Sequence, residues 1–338
     1  MLVRDRRLLR HLGRASGLLT DQVAERYLVT GVLGCLGAWT ARTLLRDGAE
    51  VVGFDLGTDP FRLREVMTED ELAQVTLVQG DLIRKEELDR ALDEHGVTSV
   101  IHLAALQIPF CRADPIRGAL VNVVGTVNVL EAVKERRERI AGPLVYASSA
   151  AYFGAADAAR VARDEDADGR PSTHYGVYKQ ANEGNARIYW QDEGVPSIGL
   201  RPYNVYGPAR DQGVTAEPTH AMRAAARGEG YHIPYGGNLT FHYTADVARA
   251  FVLASRASFG GASVFNLPGA VAHMSELVAA IEAAAPDAAG RITFDDTPLP
   301  LPPELAVGGL ADVVGPVPVT PLARAVAETV EHFRRLEL

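Results

Sequence analysis

A tyrosine and a lysine four residues apart form the pair of side chains best suited to catalysis in this chain. Tyr175 and Lys179 lie in the segment YGVYK. On a helix, residues four apart share a face. The ammonium can then stabilise the tyrosinate and lower the phenol pKa, which is about 10 in water. We predict that Tyr175 takes the proton of a secondary alcohol as the carbon loses hydride, and that Tyr178 is a packing residue.

Two serines end a strand-like apolar run that begins at Leu144, and either hydroxyl could assist such a tyrosine. Ser148 and Ser149 follow the run directly. The C-terminal ends of the strands in a parallel sheet face the ligand crevice. A hydroxyl there can donate to the substrate oxygen as charge develops on it. The residues alone leave both serines as candidates.

Three glycines follow the first strand-like run at the spacing of a dinucleotide-binding turn. Gly31, Gly34 and Gly37 let the backbone turn tightly and approach a pyrophosphate, and the helix that follows offers free N–H groups. Asp55 ends the second strand, where a carboxylate can accept both adenosine ribose hydroxyls and repel a 2′-phosphate. Leu56 stands where an NADP enzyme would often have arginine. We therefore predict NAD as cofactor; the alternative is a tight strand–helix turn with no ligand.

Short apolar runs without polar alternation are separated by helical patterns along the first two thirds of the chain. This rhythm is typical of a parallel sheet covered on both faces, the doubly wound α/β fold. We predict an N-terminal extension, a Rossmann-type NAD-binding domain that also receives a later segment, and a smaller C-terminal substrate-binding lobe in two pieces. The N-terminal extension covers 1–25, and the NAD-binding domain covers 26–207 together with 241–267. The substrate-binding lobe covers 208–240 and 268–338.

Composition excludes several classes of function. Hydrophobic residues make up 47% of the 338 residues, which suits a packed globular core, and the formal charge of −9 argues against nucleic acid as a ligand. No apolar run is long enough to span a bilayer. The two cysteines and the histidines show no metal-ligand spacing, so we predict no metal site. The low number of cysteines fits a reducing compartment, so we predict a cytoplasmic protein.

Together these motifs resemble the extended short-chain dehydrogenase/reductase group, also called the NAD-dependent epimerase/dehydratase family. The resemblance covers about residues 27–336. Its markers are GVLGCLG (31–37), Asp55, DL (81–82), HLAA (102–105), Asn122, YASSAAYFG (146–154), YGVYK (175–179) and LRPYNVYGP (200–208).

The resemblance implies a role for each matching residue. Counting back from Gly154 selects Ser149 as the catalytic hydroxyl, beside Tyr175 and Lys179. The implied cofactor-binding residues are Gly31, Gly34, Cys35, Leu36, Gly37, Asp55, Asp81, Leu82, Leu103, Ala104, Ala105, Asn122 and Lys179. The implied substrate-binding residues are Ser149, Ala150, Asn204 and Arg210. Helices at 115–137 and 173–193 would form the usual homodimer interface.

Departures from the family pattern bear on the substrate. Leu239-Thr240-Phe241 replaces an RDF-like triplet, and the missing arginine weakens the case for a nucleotide diphosphate. Arg201, Arg210 and Arg223 are candidates to compensate. Ala150 and Ala151 replace the Asp-Glu pair of the dehydratases, which argues against dehydration.

These observations predict hydride transfer on a sugar, sugar acid or related polyol. Release of the ketone and NADH would make the protein a dehydrogenase. Return of hydride to the other face of the ketone would make it an epimerase of sugars or nucleotide sugars, with tightly bound, recycled NAD. A non-catalytic NAD-binding regulator is a third alternative, which retention of Tyr175 and Lys179 disfavours.

Overall fold

The computed structural model describes residues 25–154, 168–299 and 301–336. Of the predicted N-terminal extension, all but its last residue lies outside this part of the chain. The strands are β1 Arg26–Thr30, β2 Glu50–Asp55, β3 Val75–Gln79, β4 Ser99–His102, β5 Leu144–Ala147, β6 Ser197–Arg201, β7 Asn204–Tyr206, β8 Tyr231–Ile233, β9 Asn238–Tyr243, β10 Ala262–Asn266, β11 Ala270–His273 and β12 Ile292–Phe294. The helices are α1 Cys35–Arg46, α2 Phe61–Val66, α3 Glu69–Leu72, α4 Lys85–Glu94, α5 Ile108–Ala113, α6 Pro115–Ala119, α7 Gly125–Glu135, α8 His174–Glu193, α9 Glu217–Ala226, α10 Thr244–Ser255, α11 Met274–Ala284, α12 Gly309–Val314 and α13 Leu322–Leu336.

Seven parallel strands form the main sheet, in the order β10-β6-β5-β4-β1-β2-β3. The strand order reverses between β1 and β4, which is where doubly wound sheets bind their ligands. The central strands β1, β4 and β6 are almost wholly buried, because helices cover both faces. The predicted doubly wound α/β fold is confirmed.

A second, three-stranded sheet lies in the C-terminal part, with the order β11-β9-β7. Its apolar side chains pack with those of α9, α11 and α13, among them Met222, Phe241, Leu277 and Phe333. Strands β7 and β9 belong to this sheet, although we placed 204–206 and 241–243 in the NAD-binding domain. Of the segment 241–267, α10 packs on α1 and β10 joins the main sheet. The division into domains itself stays a prediction.

The long helix predicted over 115–137 is continuous to Glu135 but changes its winding. One π-helical turn, Leu120–Val124, joins α6 to α7. The stretch Pro115–Glu135 is long and apolar enough to cross a membrane by length and composition. Core helices of soluble proteins have the same properties, and α7 packs against α4 and α8.

Candidate active site

A cavity of about 670 Å³ opens at the C-terminal ends of β1, β4 and β5. Sixteen of the residues selected from the sequence line it. They are Gly31, Gly34, Cys35, Leu36, Gly37, Asp55, Asp81, Leu82, Leu103, Ala104, Ala105, Ser149, Ala150, Tyr175, Lys179 and Arg210. Segments up to 179 residues apart in the chain therefore meet at the reversal point of the sheet.

The glycine turn has no room for side chains. Gly31 has φ +70°, and a Cβ there would lie 2.7 Å from the Ala104 Cα; one on Gly37 would lie 2.1 Å from the Gly31 oxygen. Helix α1 begins beside this turn, and no side chain caps its N-terminus. A close backbone approach and a helix N-terminus fit the pyrophosphate of a dinucleotide.

Asp55 ends β2 and is held in place in the cavity lining. Its Oδ2 accepts a hydrogen bond from the Leu33 amide and its Oδ1 accepts one from the Gly57 amide, both at 3.0 Å. A carboxylate has further lone pairs for ribose hydroxyls. The residues present therefore fit NAD.

The Asp55→Asn variant should bind NAD more weakly, because a neutral amide accepts hydrogen bonds less strongly than a carboxylate. Hydrogen bonds to charged groups contribute about 1.5–3 kcal/mol, so the Kd should rise about ten- to a hundred-fold. Fluorescence titration with NADH measures this. Asp70→Asn, at an exposed carboxylate on α3, is the matched control. An unchanged Kd for Asp55→Asn would contradict the assignment.

Helix α8 positions the tyrosine and the lysine. Thr173 caps it, accepting a hydrogen bond from the Gly176 amide at 3.1 Å, so Tyr175 lies in its first turn. The Ser149 hydroxyl lines the same cavity as the Tyr175 phenol and lowers its pKa. The Lys179 Nζ lies 5.5 Å from the centre of the Tyr175 ring and donates to the Ala147 carbonyl at 2.6 Å. The predicted trio is thus assembled in one place.

Burial acts on the protonation of both groups. It raises the pKa of Tyr175, while the Ser149 hydrogen bond and the charge of Arg210 lower that pKa in part. Burial lowers the pKa of Lys179 to about 8. The phenol therefore needs all the positive charge in the cavity to act as a base, and Arg210 contributes to it.

The two serines have different partners. Ser148 donates to Glu183, which also binds Arg201 through two hydrogen bonds of 2.7 and 2.9 Å. Ser149 faces Tyr175 and accepts a hydrogen bond from the Ala151 amide at 3.2 Å. The geometry thus gives Ser149 the role beside the phenol and Ser148 a structural one.

Of the three arginines considered for an anionic substrate, only Arg210 lines the cavity. Arg201 is 2% exposed and lies in the buried ion pair with Glu183. Arg223 pairs with Glu65 at 2.8 Å. Neither Arg201 nor Arg223 is part of the cavity lining.

Two predicted ligand residues, Asn122 and Asn204, lie outside the cavity lining. The Asn122 side chain accepts from the Leu106 amide at 2.7 Å and donates to the Leu106 carbonyl at 2.9 Å. It fixes the segment after β4, so its effect on a cofactor is indirect. Asn204 is fully buried, and its amide has no partner among the described residues. Its neighbour Val205, on the opposite face of β7, reaches the cavity.

The buried histidines His102 and His242 have structural partners. His102 lies between the hydroxyls of Thr30 and Thr126, at 2.7 and 3.0 Å, and burial lowers its pKa to about 3. Burial also lowers the pKa of His242 to about 4. Within the described ranges, no three His, Cys, Asp or Glu side chains form a group that could hold a metal ion.

A salt bridge that we did not anticipate joins two sides of the cavity. Arg62 of α2 donates to both Asp211 oxygens, at 2.6 and 3.0 Å, and to the Leu33 carbonyl at 2.9 Å. Nearby, the Trp39 indole donates to the Pro208 carbonyl at 2.9 Å. These partners are about 150 residues apart, so no local sequence pattern could have revealed them.

Comparison with known proteins agrees with this geometry. The model of the NAD dependent epimerase/dehydratase family matches residues 27–267. The UDP-glucose 4-epimerase of Mycolicibacterium smegmatis is 33% identical over 91% of this chain and 98% of its own length. The structure of the Thermus thermophilus UDP-glucose 4-epimerase in complex with NAD is 27% identical, with a TM-score of 0.74 over 91% of this chain and 99% of that one.

A third protein shares the fold. The monomeric L-threonine 3-dehydrogenase from a metagenome has a TM-score of 0.80 and 21% identity, covering 92% of this chain and all of its own. The resemblance predicted from the motifs is thus confirmed across nearly the whole chain. This protein belongs to the NAD-dependent epimerase/dehydratase family and is an NAD-dependent enzyme.

Proposed function

We propose that this enzyme transfers hydride reversibly at a secondary hydroxyl of a sugar, sugar acid or related polyol. The proposal rests on one observation: Ser149, Tyr175 and Lys179 line the same cavity, with the Lys179 ammonium 5.5 Å from the centre of the Tyr175 ring. A phenol that is hydrogen-bonded and close to a cation can accept an alcohol proton. NAD bound across the sheet supplies the hydride acceptor.

Each residue has a distinct task in this proposal. Tyr175 accepts the hydroxyl proton, and Ser149 donates a hydrogen bond to the same oxygen. Lys179 keeps its positive charge within 5.5 Å of the phenol ring, which favours the tyrosinate. Its hydrogen bond to the Ala147 carbonyl fixes that charge in position before substrate arrives.

Epimerisation is the second candidate, and one feature of the chain favours it. The Arg62–Asp211 salt bridge ties the glycine turn, through Leu33, to the loop at 207–215. A salt bridge across the cavity slows the exit of a bound dinucleotide. An epimerase needs to retain its NAD, because it returns hydride to the same substrate. The UDP-glucose 4-epimerases named above are similar over most of this chain.

A substrate panel separates the two candidates. Purified protein with NAD is incubated with free sugars, uronates and nucleotide sugars, and NADH absorbance and product chromatography are followed together. Steady NADH accumulation with one compound establishes a dehydrogenase. An isomerised product without NADH accumulation establishes an epimerase. Absence of both across the panel would count against the proposal and revive the NAD-binding regulator.

We further propose a homodimer built on the helical stretch Pro115–Glu135 and on α8. Large apolar side chains are exposed on this side of the molecule, among them Ile116, 75% exposed, and Ile188, 46% exposed. Exposed apolar side chains clustered on two neighbouring helices are typical of a subunit interface.

We also place the enzyme in the cytoplasm, where its two cysteines, both free thiols, would stay reduced.

Ile116→Glu should convert the dimer to a monomer, because an unpaired carboxylate would be buried at the interface. A buried unpaired charge costs about 3–5 kcal/mol, which raises the dimer Kd more than about a hundred-fold. Sedimentation velocity measures the change. Val307→Glu, at a residue that is 50% exposed in the C-terminal part, is the control. A wild-type monomer, or an Ile116→Glu dimer, would refute this interface.

A further inference from the structure

Glu183 is a buried carboxylate one helical turn beyond Lys179 on α8. Residues four apart share a helix face, so Tyr175, Lys179 and Glu183 follow one another along the same side of this helix. The Glu183 side chain is only 9% exposed. An ionised carboxylate at such a depth is costly unless hydrogen bonds and an opposite charge stabilise it. The partners of Glu183 therefore decide what it does at the site.

The Glu183 carboxylate joins α8 to the ends of β5 and β6. It accepts a hydrogen bond from the Ser148 hydroxyl and two from the Arg201 guanidinium, at 2.9 and 2.7 Å. The same guanidinium lies 4.2 Å from the centre of the Tyr152 ring. The network therefore holds both ends of the segment 148–152 against the helix.

Two groups that act beside the Tyr175 phenol depend on the position of this segment. Ser149 follows Ser148 directly in the chain. The carbonyl of Ala147, which precedes Ser148, accepts the hydrogen bond of the Lys179 ammonium at 2.6 Å. A displacement of Ser148 would therefore move both groups together. Misplacement by about 1 Å can lower a rate about a hundred-fold.

The other titratable side chains that face Lys179 are neutral near neutral pH. Burial raises the pKa of the Cys111 thiol on α5 and of the Tyr175 phenol, and it lowers the pKa of His102 on β4 to about 3. Each of these groups then carries no charge while Lys179 carries one. Of the described carboxylates, the one whose charge acts on Lys179 is Glu183.

The charge of Glu183 opposes the effect of burial on the lysine. Burial lowers the pKa of Lys179 to about 8, whereas the charges of Cys111 and Glu183 raise that pKa in part. A pKa of about 8 is close to neutral pH, so a small further decrease would remove the ammonium from a large share of the molecules. Arg201 pairs with Glu183 at 2.7 Å. Neutralising the carboxylate would thus leave a positive charge near Lys179 in place of an ion pair.

We propose that Glu183 is a positioning residue for the reaction, with two effects on the groups around Tyr175. Its hydrogen bonds fix the strand end that carries Ser149 and the carbonyl partner of Lys179, and its negative charge sustains the Lys179 ammonium. This inference rests on the proposed function, in which the ammonium favours the tyrosinate. Glu183 does not line the cavity, so it acts through Ser149 and Lys179 and not on the substrate.

A lysine titration tests the effect of the charge without turnover. The chain has three lysines, Lys85, Lys134 and Lys179. Protein isotope-labelled at the lysine Cε atoms therefore gives three NMR signals, and the signal missing from Lys179→Arg belongs to Lys179. With NAD bound, that signal should titrate at a pH at least about 0.5 lower in Glu183→Gln than in wild type, because a nearby opposite charge favours the charged form.

Glu131→Gln is the matched control for this titration. Glu131 pairs with Lys134 at 2.7 Å on α7 and raises the pKa of that lysine. The control also replaces a carboxylate that pairs with a cation, but it should leave the titration midpoint of Lys179 unchanged. A shift confined to Glu183→Gln therefore reports the local charge and not a general loss of stability.

Ser148→Ala tests the positioning effect by itself. The variant removes the hydrogen bond between the strand end and Glu183 and keeps the charge of the carboxylate. With the substrate that the panel identifies, kcat should fall about ten-fold with KM nearly unchanged. The Lys179 midpoint should stay at its wild-type value. A role limited to stability would lower the free energy of unfolding without changing the kcat of the folded protein.

Each outcome supports the inference or overturns it. A lower Lys179 midpoint in Glu183→Gln together with a lower kcat in Ser148→Ala supports it. An unchanged midpoint in folded Glu183→Gln, or an unchanged kcat in Ser148→Ala, overturns it. If Glu183→Gln does not fold, the kcat of Ser148→Ala decides.

The lysine titration also separates this inference from the proposed function. If the Lys179 midpoint moved in Glu183→Gln while Tyr175→Phe kept its turnover, the proposed chemistry would fail and the effect of Glu183 on Lys179 would stand. If Tyr175→Phe lost its turnover while the Lys179 midpoint and the kcat of Ser148→Ala were unchanged, only the inference about Glu183 would fail.

Discussion

Tyr175→Phe should lower kcat by about two to four orders of magnitude, the usual contribution of a positioned general base. The ring and its packing remain, and only the oxygen that accepts the substrate proton is removed. Ser149 loses its partner at the same time. The measurement is single-turnover reduction of bound NAD with whichever substrate the panel identifies.

The control for this variant lies three residues further along α8. Tyr178 donates its phenol proton to the Pro115 carbonyl at 2.7 Å and does not line the cavity. Tyr178→Phe should therefore keep kcat within a few-fold while losing some stability. NAD content should be equal in both variants. Equal turnover in Tyr175→Phe and wild type would exclude Tyr175 as the base.

Glu183→Ala should lower the free energy of unfolding by about 3–5 kcal/mol, because it removes the carboxylate of a buried ion pair. The Arg201 and Glu183 side chains are 3% and 9% exposed and share two hydrogen bonds. Arg201 also lies 4.2 Å from the centre of the Tyr152 ring. Removing one partner of such a pair lowers the free energy of unfolding by more than the intact pair contributes to it. Denaturant unfolding followed by circular dichroism gives the value.

An exposed ion pair provides the comparison. Glu331 lies 4.0 Å from Arg334 on α13, and the two side chains are 57% and 38% exposed. Glu331→Ala should change the free energy of unfolding by less than about 1 kcal/mol, as exposed pairs do. If Glu183→Ala lowered the free energy of unfolding by as little as Glu331→Ala, Arg201 would have to be solvated in the Glu183→Ala variant. The burial of Arg201 would then not decide the cost of removing Glu183.

The sequence by itself determined the parts of this protein whose chemistry is local. The glycine turn needs glycines because of contacts between residues a few positions apart and the strand beside them. Tyr175 and Lys179 lie on one helix, so their spacing alone predicted the shared face. The buried β-strands of the main sheet were visible as unbroken apolar runs, and their alternation with helices predicted the doubly wound fold, which is confirmed.

The sequence was less informative where a residue's role depends on distant partners. Ser148 and Ser149 are adjacent and chemically identical, and apart from the family resemblance only their partners Glu183 and Tyr175 distinguish them. Asn122 matched a family marker, yet its side chain holds the backbone of Leu106. Strands β7 and β9 are as buried as the central strands of the main sheet, and only their pairing assigns them to the second sheet.

Only the tertiary structure decided which of three arginines faces the cavity. From the sequence we named Arg210 as substrate-binding, but Arg201 and Arg223 were equally plausible candidates, because any of the three could pair with a carboxylate or remain without one. Folding brings Glu183 to Arg201 and Glu65 to Arg223, and it brings Arg62 to the carboxylate beside Arg210. The charge left unpaired is set by where acidic side chains from distant segments arrive, and sequence spacing carries no record of that.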